Sequence, residues 1–208
     1  MVRITKAKPA DLGAILQLQY IAYQSEAQIY NDFSIQPLTQ TLDEVVAEYH
    51  KGIILKAVSN KEIIGSVRAY ADSDTVFIGK LMVHPDHQGR GLGKRLLSSI
   101  ENSLHRKRYE LFTGSKSERN LRLYEAAGYT RFKEEPDDTG VLDIYLEKQY
   151  DAAGANVAMG ISFGLMGGAV IGMLTGNIGL WIPIGLCLGI AVGSALSTIN
   201  VKTKKSKT

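Results

Sequence analysis

The sequence predicts an α/β domain, a mixed sheet with helices on its faces, followed by two apolar helices folded as a hairpin. Three observations predict it. Short β-rich runs alternate with helical periodicity through residues 1–150. Charge then stops: residues 1–150 hold 20 Lys/Arg and 20 Asp/Glu, whereas Ala152 to Val201 contains no Asp, Glu, Lys, Arg or His. Within that stretch glycines recur every fourth residue, at 160, 164, 168, 172 and 176 and again at 185, 189 and 193. Lys202, Lys204, Lys205 and Lys207, less Asp151, account for the net charge of +3.

The elements follow in order. Ile4–Ala7 reads as a first strand. Asp11 can cap a helix that carries Ile15, Leu18, Ile21 and Ala22 at the 3.6-residue period. Residues 25–40 are polar and aromatic, a second helix or a loop. Leu42–Lys51 is a short helix with Gly52 after it. Ile53–Val58 and Glu62–Tyr70 are strands joined by a Ser59-Asn60-Lys61 turn, and Thr75–Val83 is another strand. A Pro- and Gly-bearing loop feeds a helix that turns Leu96, Leu97, Ile100 and Leu104 inward. Tyr109–Thr113 is a strand, and Glu118–Ala127 a helix stopped at Gly128. Tyr129–Lys133 and Val141–Leu146 close the domain around the acidic turn Glu134 to Asp138.

Composition excludes several classes. Apolar content of 45% excludes a disordered chain. A lone cysteine, Cys187, excludes a disulfide framework and a Cys-rich zinc site, and no metal is expected. A domain with no net charge gives no reason to expect a nucleic-acid partner. The start, MVRITKAKPAD, lacks the apolar core of a signal peptide.

The uncharged stretch divides at Gly176-Asn177. Val157–Thr175 and Ile178–Leu196 would each be ~28 Å long as helices, close to a ~30 Å hydrocarbon core. Small residues every fourth position let helices approach closely in lipid. Three segments are therefore expected: a domain at 1–150, a transmembrane hairpin at 151–201 and a Lys-rich tail at 202–208. The expected partners are a lipid bilayer and further copies of the chain, joined through the glycines. Two spans would leave the N-terminal domain and the lysine tail on the cytoplasmic side.

Gln88-Gly89-Arg90-Gly91-Leu92-Gly93-Lys94 lies between a strand and a helix. Unpaired N–H groups and the helix dipole make such a junction an anion site, and glycines let a phosphate reach the backbone. A dinucleotide fingerprint would need glycine where Lys94 stands. A P-loop would need Ser or Thr where Arg95 stands and glycine where Gln88 stands.

Gln88-Gly89-Arg90-Gly91-Leu92-Gly93, preceded by Leu81-Met82-Val83-His84-Pro85, resembles the acetyl-CoA motif Q/R-x-x-G-x-G/A of the GNAT N-acetyltransferase superfamily. Asn120 to Tyr129, with Tyr124 and Gly128 in place, resembles that family's second signature, N-x-x-x-x-Y-x-x-x-G-[FY]. The resemblance covers roughly residues 2–147 and says nothing of 152–208. It implies a GNAT-like sheet and acetyl-CoA as cosubstrate. It implies that Gln88, Gly89, Arg90, Gly91, Leu92, Gly93 and Lys94 hold the pyrophosphate through their backbone. Leu81, Met82 and Val83 would pair with the pantetheine arm, with a backbone N–H polarising the thioester, and Asn120 would hydrogen-bond the cofactor. Tyr124 would be catalytic, beside the sulfur.

Acid–base chemistry supports Tyr124 separately: a phenol of pKa ~10 is suited to protonate a thiolate whose conjugate acid lies near ~8.5. No base is assigned. The strand Val76-Phe77-Ile78-Gly79-Lys80 has no carboxylate, His84 and His87 suit loop ordering better, and Asp72 and Asp74 suit turns. Tyr20, Tyr23, Tyr30, Phe33 and Tyr49 suggest a partly aromatic acceptor pocket. The function expected is transfer of acetyl to a small-molecule or peptide primary amine by direct attack, on a membrane anchor. The alternative is a glycine-zipper membrane oligomer or pore with a CoA-binding sensor domain.

Overall fold

The structure is a computed structural model. It describes residues 2–137, 140–150 and 152–205, and for 152–158 and 195–205 the helical backbone alone. The chain divides into two compact units, Met1–Tyr150 and Asp151–Thr208.

The first unit is built on strands β1 (Arg3–Lys6), β2 (Ile53–Ser59), β3 (Glu62–Asp72), β4 (Thr75–Val83), β5 (Arg108–Gly114), β6 (Thr130–Pro136) and β7 (Leu142–Gln149). Its helices are α1 (Leu12–Tyr30), α2 (Gln36–Thr39), α3 (Leu42–Lys51), α4 (Leu92–Ser103) and α5 (Glu118–Ala126). The sheet order is β1-β2-β3-β4-β5-β7-β6. Every neighbouring pair is antiparallel except β4 with β5.

Local chemistry explains the element ends. Thr41 caps α3 through a reciprocal box in which its hydroxyl accepts from the Glu44 N–H and the Glu44 carboxylate accepts from the Thr41 N–H. The β2–β3 turn places Asn60 and Lys61 at positive φ, the geometry a tight hairpin needs. Asp11 precedes α1 without capping it: its carboxylate accepts from the Lys8 N–H at 2.6 Å and pairs with Lys56 at 2.6 Å. Ile21, expected inward on that helix, is exposed.

Apolar side chains fill both faces of the sheet. On one, Leu96, Leu97 and Ile100 of α4 and Leu121 of α5 meet Val67, Val76, Tyr109 and Leu146. On the other, Leu12, Ile15 and Leu18 of α1 and Val45 of α3 meet Ile54 and Met82. Helices cover both faces of the sheet, and a cleft opens at the β4–β5 junction.

The second unit is a hairpin of α6 (Ala152–Thr175) and α7 (Ile178–Lys205). Gly176, at φ +70, ends α6, and the Asn177 N–H donates back to the Gly172 carbonyl at 3.0 Å. The glycine stripe faces inward. A Cβ at Gly160 would overlap the carbonyl oxygen of Gly189, one at Gly164 that of Gly185, and one at Gly168 that of Trp181.

Two expectations about this segment are corrected. Among the described residues, no helix is long and apolar enough to cross a membrane. Residues 157–158 and 195–196 of the expected spans lie outside the described side chains, as do the tail lysines, Asp151 and Asp138. The two-span anchor, the bilayer partner and the cytoplasmic-side topology are therefore withdrawn. The expected oligomer and pore rest on the same membrane helices and are corrected with them; the glycine stripe meets the other helix of the same hairpin.

Candidate active site

Among the described residues, β4 and β5 form the one parallel pair of the sheet, and they pair from Thr75–Arg108 to Phe77–Glu110. A bulge in β4 accounts for the parting. Ser66 faces Met82 and Arg68 faces Gly79, so Lys80 and Leu81 together oppose Val67. Lys80 takes φ +49, a left-handed conformation in mid-strand. Beyond the bulge β4 swings from β5, and a cavity of about 860 Å³ opens between them. Leu81, Met82 and Val83 line it, with Phe112, Thr113 and Gly114 across the gap.

The loop after β4 is held open by its own side chains. His84 Nδ1 accepts from the Asp86 N–H at 3.3 Å, which orders the single turn at Pro85–His87. Gln88 Nε2 donates to the Val83 carbonyl at 2.9 Å, and its Oε1 accepts from Arg119. Gln88 thus works as a brace between strand, loop and α5. Gly89 and Gly91 both take φ +75, and a Cβ at either would enter open space. Only glycine adopts that conformation without strain, and the unfilled space is where an anion can meet the first N–H groups of α4. Lys94 is exposed and lines the cavity, and Arg90 is exposed on the loop outside the lining. Leu92 is buried in the core, so only its backbone faces the ligand side. A phosphate-bearing chain laid along parted strand edges fits these residues.

Tyr124 projects from α5 into the same cavity and is buried. Burial, and then the nearby Tyr23 and Glu26, push its phenol above the ordinary range. Tyr23 is pushed up likewise, first by burial and then by Glu26. Both hydroxyls are therefore held in the proton-bearing form. Asn120 Nδ2 donates to Glu26 Oε1 at 3.1 Å and to Thr113 Oγ1 at 3.4 Å, and Ser117 Oγ donates to Glu26 Oε2.

Several residues of the site went unrecognised in the sequence. Glu26, on α1, meets Ser117 and Asn120 from more than 90 residues away. Arg68, 5% exposed, donates to Gln19 Oε1 at 2.6 Å, to Gln40 Oε1 at 3.1 Å and to Glu48. Lys80 donates to Gln36 of α2. Asp143, at the far wall, is held above the usual carboxylate range by burial and by Asp137. Only an acid spaced in sequence from a known motif would have signalled Glu26, and none is.

The aromatic set divides. Tyr23 and Tyr30 line the cavity, with Tyr30 Oη accepting from the Lys116 N–H at 2.7 Å. Tyr20 donates to the Gln40 carbonyl at 2.6 Å, Tyr49 packs in the core beneath α1, and Phe33 is exposed. Among the described residues no group of three or more His, Cys, Asp or Glu side chains is placed to hold a metal ion.

A glycine-turned helix N-terminus beside parted parallel strands, with a buried phenol between them, defines an acyltransferase-type cleft for a phosphate-bearing donor. Residues 15–129 match the family model described as "Acetyltransferase (GNAT) family", and the chain belongs to that family. Solved structures share the fold. The ribosomal-protein-S18-alanine N-acetyltransferase of Escherichia coli aligns with TM-score 0.60 at 17% identity, over 72% of this chain and 94% of that one. The yncA protein of Salmonella typhimurium, solved with its cofactor acetyl-CoA, aligns at 0.58 and 23%, over 73% and 95%. The paia N-acetyltransferase of Thermoplasma acidophilum, in complex with coenzyme A, aligns at 0.53 and 20%, over 72% and 99%. Residues 151–198 match a second model, described as "Glycine zipper membrane protein", over a minor part of the chain. No curated protein matches.

Proposed function

We propose that the first unit transfers acetyl from acetyl-CoA to a primary amine by direct attack. The observation that carries this reading is the parting of β4 from β5 with Tyr124 in the gap. Acetyl-CoA supplies an acetyl thioester and a pyrophosphate. Gln88 to Lys94 offer backbone donors and the Lys94 charge to the pyrophosphate. The unpaired edge of Leu81, Met82 and Val83 receives the pantetheine arm as an added strand would be received, and a backbone N–H there polarises the carbonyl.

Tyr124 holds its proton until a thiolate develops beside it, and then donates. Burial keeps that proton in place across the neutral range and makes the phenol a weaker acid than an unshifted one, so the transfer waits on a developed thiolate. Asn120 is fixed by Glu26 and Thr113, which sets its amide beside the donor. The carboxylates of Glu26, Glu110 and Asp143 line the cavity alongside Lys51, Arg68 and Lys80, so both signs of charge face the acceptor space. Sulfur chemistry on the enzyme has no residue to use, since the chain's one cysteine, Cys187, is not among those lining the cavity.

Thiol release from acetyl-CoA with a panel of amines tests the reading. Turnover with at least one amine is expected, and binding of acetyl-CoA with no turnover on any amine would overturn it. Tyr124→Phe should lower turnover at least tenfold and leave acetyl-CoA affinity, read by calorimetry, nearly unchanged.

A further inference from the structure

We propose that Lys80 is an acetyl acceptor in its own right, so that the chain acetylates its own β4 bulge. The inference rests on the acetyltransferase reading of the cavity and goes beyond it. A regular strand would keep position 80 in the alternation of its neighbours. The bulge breaks that alternation and gives Lys80 a left-handed backbone.

The side chain lines the cavity. Its ammonium donates to Gln36 Oε1 of α2 and lies 5.8 Å from the centroid of the Tyr23 ring on α1. Tyr23 interacts electrostatically with Tyr124, the proposed proton donor, and both line the same space as Lys80. Lys80 also stands two residues from Met82, ~7 Å along the strand, a span that a lysine side chain covers. An amine is thus built into the acceptor end of the chamber that is read as holding the thioester.

Its protonation suits attack. Burial lowers the Lys80 pKa to about 8; Glu48 and Glu44 of α3 oppose the shift and Arg68 of β3 adds to it. A neutral amine is therefore much more abundant here than at an ordinary lysine. In the step, the Nζ lone pair attacks the thioester carbonyl carbon, the N–C bond forms and the C–S bond breaks. Sulfur leaves with the bonding pair and takes a proton from Tyr124, the new amide nitrogen gives up a proton to water, and water returns a proton to the Tyr124 phenolate. The products are acetyl-lysine and free CoA thiol. The acetamide carries no charge, so the cation facing Glu48 is lost.

The test uses the full chain, treated with a lysine deacetylase, then incubated with acetyl-labelled acetyl-CoA and no added amine. Peptide mass mapping is expected to find one label on Lys80. Its rate per chain should not depend on protein concentration and should fall at least tenfold in Tyr124→Phe. The label should vanish in Lys80→Arg. Labelling of Lys80 no faster than of exposed Lys61, or equally fast in Tyr124→Phe, would mean uncatalysed chemistry and overturn the proposal. An unlabelled Lys80 in a protein that turns over amines overturns it and leaves the enzyme reading standing. A protein that neither binds acetyl-CoA nor acetylates anything overturns both.

Discussion

Arg68 sets the terms at the scale of the residue. Its guanidinium ties β3 to α1, to the α2–α3 junction and to α3 through Gln19, Gln40 and Glu48, and Gln40 Nε2 donates on to Glu48 at 2.7 Å. Its Nε is buried without a hydrogen-bond partner, so the site holds the cation at some cost in desolvation. Breaking a fully buried pair costs roughly 3–5 kcal/mol, but the Glu48 side chain is 38% exposed and water offsets part of that. Arg68→Met is therefore expected to lower stability by about 2 kcal/mol, measured as a drop in the urea midpoint. The same reasoning explains what could be read in advance. Tyr124 and the glycines at 89, 91 and 93 announced themselves because their spacing is local. Arg68, Glu26 and Lys80 did not, because their meaning comes from neighbours distant in sequence.

Between elements, backbone geometry decides. Gly91 must keep φ +75 and must leave its Cβ position open. Gly91→Val combines a backbone penalty of ~1–2 kcal/mol with a side chain in the anion's path. Acetyl-CoA affinity should fall at least tenfold in calorimetry. In the second unit, a side chain at Gly164 would meet the Gly185 backbone. Gly164→Leu should force α6 from α7, and hydrogen exchange of amides 159–175 should accelerate at least tenfold. The strands and helices of the first unit were legible from periodicity and turn residues. The β4 bulge was not, since Gly79-Lys80 carries no local mark of two residues sharing one partner. The glycine repeat is legible as a packing code, but four-residue spacing specifies close approach between helices without saying in which solvent, or between how many chains.

For the whole molecule, the two units carry separate packing. The first has a core on each face of its sheet, and the second is held by glycine contacts within the hairpin. The fragment 1–150 is expected to unfold cooperatively and to bind acetyl-CoA within about threefold of the full chain, by calorimetry. A loss of binding in that fragment would overturn the assignment of the cofactor site to the first unit. Within the first unit, β1 to β4 form one leaf of antiparallel neighbours and β5, β7 and β6 another. Three residue pairs of ladder join the two leaves directly. A donor lying in the gap would supply the missing rungs and fasten one leaf to the other. Mass action then makes the cosubstrate a structural member: at 100 times its dissociation constant it adds ~2.7 kcal/mol to the folded state. The resting enzyme's thermal tolerance would follow the combined abundance of acetyl-CoA and free CoA, which share the arm that bridges the leaves.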